Sequence, residues 1–235
     1  MFRSPGSNLR GGRLAVLLFD LERWLLALEA PPPIVQVGAT VLRRRALDVP
    51  RELLGSDALA RLVALMVQVM RDAPGVGLAA PQIGVPLRLF VAEDPAERLA
   101  KIPADLRSAR ARTPLPLLVL VNPKVVAASR DEATFFEGCL SVRGYGALVP
   151  RAAAVVATGV DAEGRPVSLH LAGWPARIMQ HEMDHLDGTL YVDRMLSRSL
   201  ACEDELARWS ARSASEALRE LVDGQDQAPD GGVSP

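Results

Sequence analysis

The sequence has few cysteines and histidines, almost no net charge and no long apolar run in its N-terminal part. Its 235 residues include two cysteines, three histidines and a formal net charge of −1. Two cysteines do not make a disulfide framework, and they indicate a reducing compartment. The balanced charge gives no reason to expect nucleic acid or strongly acidic partners. The apolar run at residues 14–19 is too short to span a bilayer.

The length and the hydrophobic content of 49% are sufficient for one good core with extensions at its ends. Leucines at helical spacing over residues 14–28 predict an amphipathic helix in an N-terminal extension, residues 1–33. The folded domain is predicted over residues 34–198. Residues 199–235 are expected to form a C-terminal helix and a tail that is disordered from Asp223 onwards.

Apolar periodicity predicts the main elements of this domain. The expected elements are a helix over residues 56–70, strands over 86–91 and 117–121 with a long surface insertion over 93–116 between them, and a hairpin of strands 154–160 and 167–171. In the last strand, the alternation of apolar and polar residues predicts that His170 faces water. His170 is therefore not expected to bind a metal.

The other two histidines lie in a pattern that predicts a metal site. His181 and His185 are separated by one helical turn, so both imidazoles can bind a single cation. Glu182 lies about 100° round the helix from His181, which suits a general base rather than a ligand. Pro175 favours a helix start near Gly173, and Gly188 favours its end.

The third ligand decides the class of site. Tyr191 stands where one group of metalloproteases has a third histidine, and Glu203 is in range to complete the site of another group. However, Glu203 belongs to a charged run that is typical of an exposed helix face. Cys139 is the better candidate, because one Cys and two His form a roughly tetrahedral site with an open fourth position.

Three separated motifs, Gly75–Gln82, Glu137–Ser141 and Gln180–Gly188, match the peptide deformylases in order and type. The chain resembles this family over about residues 34–198, which would then be a catalytic domain. The resemblance implies an α+β fold, with small antiparallel or mixed sheets around the helix that carries His181. It also implies removal of the formyl group from the N-terminal formylmethionine of new polypeptides, with release of formate.

The resemblance assigns roles to further residues. The family's metal ligands correspond to Cys139, His181 and His185, and the residue that moves the proton corresponds to Glu182. The resemblance implies an oxyanion site at Gln82 and the backbone amide of Leu140. It also places Val76 and Gly77 beside the substrate backbone, and Gly138 leaves room near the cysteine.

Helical spacing adds two candidate substrate-binding residues. Ile178 and Trp174 precede His181 by about one and two turns, so both are expected on the metal-facing side. Together with Val76 they are predicted to line an apolar slot beside the metal. Such a slot would suit the flexible side chain of methionine.

The expected cofactor is one divalent metal ion, with Fe²⁺ implied in the cell and Zn²⁺, Ni²⁺ or Co²⁺ as substitutes. The expected partners are nascent N-formylmethionyl peptides and, transiently, the ribosome, with no specific nucleic acid and no membrane span. The expected location is the cytoplasm of a bacterium, with the mitochondrial or plastid matrix as the alternative. Two other functions stay open at this point: a zinc endopeptidase completed by Glu203, and a non-catalytic module that binds ribosomes or nascent chains.

Overall fold

The computed structural model describes residues 20–210 and 212–222, and we number its elements in chain order. The strands are β1 (Gly77–Ala79), β2 (Leu89–Asp94), β3 (Leu115–Ala128), β4 (Glu132–Cys139), β5 (Val142–Ala152), β6 (Ala154–Val160), β7 (Pro166–Ala172) and β8 (Ala201–Cys202). The α-helices are α1 (Leu21–Leu26), α2 (Asp57–Asp72), α3 (Ala96–Leu99), α4 (Ala104–Ala109), α5 (Gly173–Leu186), α6 (Glu203–Ser210) and α7 (Ala214–Ala217). Short 3₁₀ helices cover Thr40–Arg43, Arg51–Leu53, Ala80–Ile83, Tyr191–Asp193 and Ser197–Ser199, and a π-helical turn covers Leu218–Val222.

The strands form two sheets in which neighbouring strands run antiparallel. The larger sheet has the order β1-β2-β3-β6-β7, and the smaller sheet has the order β4-β5-β8. Helix α5 packs against the larger sheet through Ala176, Ile178 and Met179, which share a core cluster with Phe90 of β2. The predicted α+β fold is confirmed, with the two-histidine helix between sheets.

Helix α2 contributes buried residues to a second large hydrophobic cluster. Its Ser56 cap accepts a hydrogen bond from the amide of Leu59 at 3.2 Å, as the capping preference predicts. Helix α1 packs against it, since Leu21 and Leu25 are buried in the same cluster as Leu62. The part of the predicted N-terminal helix that precedes residue 20 lies outside the described residues.

The predicted boundaries of two strands and of the insertion are wrong. Strand β2 begins later than predicted, because Leu87 forms a parallel bridge with Leu47 before the antiparallel pairing starts. Strand β3 continues well past residue 121, through bulges in its pairing with β6. The ends of the predicted surface insertion belong to β2 and β3, and its Asp94 is fully buried. The predicted hairpin is confirmed as β6 and β7.

The described part of the C-terminal segment contains β8, α6 and α7. Trp209 of α6 is buried with Leu148 of β5 and Ala217 of α7. The predicted disorder from Asp223 onwards lies outside the described residues. Among residues 20–210 and 212–222, no helix has the length and apolar character needed to cross a membrane.

Candidate metal centre and substrate cavity

Helix α5 begins and ends where its sequence predicts. Gly173 has a φ of 62° and Gly188 a φ of 75°, and both angles lie in the left-handed region that favours glycine. Pro175 occupies the first turn, where its missing N–H costs no hydrogen bond. Between these ends His181 and His185 share one face, and their ring centroids are 5.1 Å apart.

Cys139 reaches the same point from the smaller sheet. It ends β4, where the pairing with β5 shifts between Gly138 and Cys139. Its Sγ lies 3.2 Å from Nε2 of His185. One ligand atom each from Cys139, His181 and His185 lies within 4.8 Å of the others, so the predicted ligands come together.

These three residues fit a divalent transition metal. A thiolate and two imidazole nitrogens are the donor set of an open, roughly tetrahedral site. Burial and the neighbouring His181 lower the pKa of His185, which keeps that ring neutral and able to bind. Among the described residues, neither Glu203 nor His170 belongs to this cluster. The side chains of both are exposed, as predicted for His170 on β7.

Glu137 holds the first histidine from behind, and its role was not predicted. Nδ1 of His181 donates to Oε2 of Glu137 at 3.0 Å, which leaves Nε2 free for a metal. Arg151 donates to both carboxylate oxygens at 2.9 and 2.8 Å, and Arg177 donates to Oε1 at 2.6 Å. Burial would raise the pKa of Glu137, but the hydrogen bonds from Arg151 and His181 outweigh it and lower this pKa well below its usual value.

The same network continues to the surface. Arg151 also donates to Asp184 at 2.5 Å, and Asp184 accepts two hydrogen bonds from Arg194, each of 2.8 Å. The signal for Glu137 was its position two residues before Cys139, because alternate residues of a strand face the same side. The partners of Glu137 come from distant parts of the chain, so spacing alone does not reveal them.

Glu182 lies in the pocket beside this cluster with its carboxylate withdrawn from solvent. The residue is 3% exposed, and no described residue forms a hydrogen bond with its Oε2 atom. Burial raises the pKa of Glu182 to about 7. A carboxyl group with this pKa can both accept and release a proton near neutral pH.

Gln82 is fixed on the other side of Cys139. Its Oε1 accepts a hydrogen bond from the amide of Ala79 at 2.8 Å, and its Nε2 donates to Oγ of Ser141 at 3.2 Å. The same nitrogen lies 3.7 Å from Sγ of Cys139. The side-chain amide is therefore held with its donor end beside the metal cluster.

A cavity of about 560 Å³ opens in front of these groups. Its lining contains Val76, Gly77, Gln82, Gly138, Cys139, Leu140, His181 and Glu182 from the sequence prediction. The lining also includes the exposed or half-buried residues Arg143, Gly144 and Tyr145 of β5 and Glu203 and Leu206 of α6, which we call the rim. The rim residues of α6 were not predicted to contact a substrate.

The structure does not bring Trp174 and Ile178 to this cavity, so the slot that they were expected to line is not found. Ile178 is 4% exposed and packs against the larger sheet, which covers that face of α5. The Trp174 ring lies 6.2 Å from the ring of Phe135, and the guanidinium of Arg112 is 5.2 Å from the centre of the Trp174 ring. Helical spacing gives the face of a residue but not the element that packs on it.

Comparison with known proteins gives a consistent result. The model of the polypeptide deformylase family matches residues 31–200. Peptide deformylase 3 of Streptomyces avermitilis is 49% identical over 205 residues, which are 87% of this chain and 89% of that protein. The chloroplastic peptide deformylase 1A of Solanum lycopersicum is 47% identical over 188 residues, 78% of this chain and 68% of that protein. The Met-Ala-Ser-bound crystal structure of a class I type b peptide deformylase from Acinetobacter baumannii has a TM-score of 0.63 and 32% identity, and covers 72% of this chain and 100% of that one.

Proposed function

The chain belongs to the polypeptide deformylase family and is an enzyme that removes the formyl group from N-formylmethionyl peptides, and we propose that Cys139, His181 and His185 hold its metal. The single observation that carries the ligand set is the meeting of three ligand atoms from β4 and α5 within 4.8 Å. Residues 34–198 form the catalytic domain in this proposal, supported by the family match over residues 31–200.

The reaction adds water to the formyl carbon, breaks the C–N bond and gives formate and a free α-amine. A divalent metal bound by these ligands supplies Lewis acidity that lowers the pKa of water. Glu182 accepts the proton of the attacking water and delivers it to the leaving nitrogen. Its buried carboxylate and its pKa of about 7 support both transfers.

Gln82 and the Leu140 amide stabilise the oxygen of the formyl group as it becomes negative. The side-chain nitrogen of Gln82 is held beside Cys139, and Leu140 lines the cavity next to it. One such donor contributes about 3 kcal/mol in well-studied enzymes. Val76, Gly77 and Gly138 line the same cavity, which supports the proposal that they contact the peptide backbone and the methionine side chain.

We propose Fe²⁺ as the metal in the cell, as the resemblance to the family implies. The affinity order favours zinc for such a site, but metal availability also decides which divalent ion is bound. Metal analysis of protein purified without oxygen, together with formate release from formyl-Met-Ala, tests the metal and the reaction at once. Iron content that follows an oxygen-sensitive activity is expected. Zinc as the only active metal would contradict this choice of metal without touching the reaction.

The ligand set is tested with the two cysteines as a matched pair. Cys139→Ala should lose metal and activity, because the coordination shell is what holds the ion. Cys202→Ala should retain both, since Cys202 is exposed and lies outside the ligand cluster. Full metal occupancy in Cys139→Ala would refute the assignment.

The choice between formyl and acetyl substrates depends on how tightly the site fits the formyl group. A site closed around a formyl hydrogen excludes the methyl group of an acetyl substrate, and such crowding costs about 1 to 3 kcal/mol. Formyl-Met-Ala should therefore react much faster than acetyl-Met-Ala on the same metal-loaded protein. Equal rates would contradict the closed formyl site.

The proposed substrates in the cell are nascent N-formylmethionyl peptides. We also propose a transient contact with the ribosome, which a co-sedimentation experiment tests. The relatives comprise a chloroplastic enzyme and an enzyme from a bacterium, so the family occurs in both settings. We propose the bacterial cytoplasm as the location, with the mitochondrial or plastid matrix as the alternative. Fractionation of the source cells distinguishes them.

A further inference from the structure

Part of the rim, which is the outer wall of the substrate cavity, comes from residues beyond the family-matched residues 31–200. Strand β8 pairs with β5, with Cys202 opposite Tyr145 and Ala201 opposite Gly146. Helix α6 follows directly, so its first turn lies over the end of β5 that forms the rim. The cavity is thereby closed on this side by residues that the three catalytic motifs do not contain.

Two contacts fix this wall in place. A Cβ at Gly146 would lie 2.8 Å from Cδ1 of Leu206 and 2.8 Å from the carbonyl oxygen of Glu137. Helix α6 thus sits where only a glycine leaves enough space on β5. Trp209, 7% exposed, anchors the other end of the helix against Leu148.

Glu203 is the acidic group on this wall. It lines the cavity, its side chain is exposed, and none of residues 20–210 and 212–222 forms a hydrogen bond or an ion pair with its carboxylate. Glu205, on the same helix, does not line the cavity, and its Oε2 lies 3.6 Å from a guanidinium nitrogen of Arg208. The carboxylate of Glu203 is thus available to a bound peptide, whereas that of Glu205 already has a partner.

We infer that Glu203 is a specificity-determining residue that favours a basic side chain at one position after the formylmethionine. This inference rests on the proposed function, because the bound peptide extends past the rim only if its formyl group lies beside Glu182. Arg143, of opposite charge, lines the same cavity from β5. The rim is therefore not uniformly acidic, and the preference is confined to the position nearest Glu203.

The test uses a set of four-residue formyl-Met peptides. Each carries a single Lys or a single Glu at the second, third or fourth position, with Ala elsewhere. Glu203→Gln should lower the Lys-to-Glu ratio of kcat/KM at one position by about two- to fivefold, the range of a solvent-exposed ion pair. The change should lie in KM and should shrink at about 0.5 M salt, where screening is strong.

The matched control is Glu205→Gln, which makes the same chemical change on the same helix. It should leave the Lys-to-Glu ratio unchanged at all three positions. A Glu203→Gln ratio equal to that of the unsubstituted enzyme, or one that shifts equally at every position or equally in Glu205→Gln, would overturn the inference. Formate release from none of the peptides by the unsubstituted, metal-loaded enzyme would refute the proposed function instead. Circular dichroism and a melting curve establish that both variants are folded.

Discussion

The inner and outer walls of the cavity differ in how far their polar side chains are exposed to water. The inner wall consists of Gly77, Gln82, Cys139, His181 and Glu182, and the outer wall consists of Arg143, Gly144, Tyr145, Glu203 and Leu206. Gln82 and Glu182 are 2% and 3% exposed, whereas Tyr145 is 50% exposed. Electrostatic effects are strong where water is excluded and weak where it screens them. The inner wall should therefore control the rate of the chemistry, and the outer wall should tune the choice of peptide.

Among the variants that keep the three proposed metal ligands, Glu182→Gln should produce the largest fall in turnover. Glutamine keeps the size of the side chain but cannot accept a proton, so turnover should fall by at least ~10²-fold. Metal content should stay at the level of the unsubstituted protein, because Glu182 is not a ligand in the proposed set. Near-normal turnover would show that another group is the base, and the inner wall would lose its distinction.

Glu137→Gln tests the support behind the metal rather than the reacting atoms. A neutral amide cannot balance Arg151 and Arg177 or orient His181 as the carboxylate does. Metal affinity should fall by about 10- to 100-fold, the usual effect of losing such a partner. The free energy of unfolding should also fall by several kcal/mol, about 3 to 5 for a broken buried ion pair.

Asp94→Asn is the matched control for that loss of stability. Asp94 is fully buried and accepts two hydrogen bonds from Arg112, at 2.7 and 3.1 Å, but contacts none of the three ligands. It should lower the melting temperature and leave metal affinity as it is. If both variants lost metal in parallel with stability, Glu137 would have a merely structural role.

Two of the glycines that line the cavity, Gly77 and Gly138, separate crowding of the base from crowding of the substrate. A Cβ at Gly77 would overlap Oε1 of Glu182 and lie 2.7 Å from its Cδ, so Gly77→Ala must displace the carboxylate. Turnover should drop by about tenfold or more, since a shift of about 1 Å in a reacting group can cost that much. A Cβ at Gly138 meets only the carbonyl oxygen of Tyr145, at 3.7 Å, so Gly138→Ala should act mainly on KM. A larger loss of kcat in Gly138→Ala would reverse this assignment.

The sequence correctly predicts the features whose whole signal lies within one element. The helix with His181 and His185 has its ends marked by Gly173 and Gly188, and its periodicity defines the shared face. Cys139 could be added because a two-histidine site lacks a soft third ligand. Such local signals survive folding, because regular backbone geometry fixes the positions of neighbouring side chains.

The sequence does not predict the features that depend on packing between distant elements. Trp174 and Ile178 lie at the expected helical positions, but the larger sheet and a group of arginines cover them. Glu137 depends on arginines from β5 and α5, and Glu203 on the pairing of β8 with β5. No periodicity within one element encodes these long-range contacts.

Trp209→Ala tests the outer wall with the smallest expected change in activity. The substitution removes the side chain that packs α6 against Leu148 and Ala217, and a buried Trp→Ala change costs about 3 to 5 kcal/mol where the site is fully packed. Because Trp209 does not line the cavity, hydrolysis of formyl-Met-Ala should change by less than about twofold. The Lys-to-Glu preference should disappear, since Glu203 is no longer held at the rim, and proteolysis at the C-terminal segment should become faster. Loss of metal or of formyl-Met-Ala turnover in this variant would mean that the two walls act as one unit, and the division between chemistry and selectivity would fail.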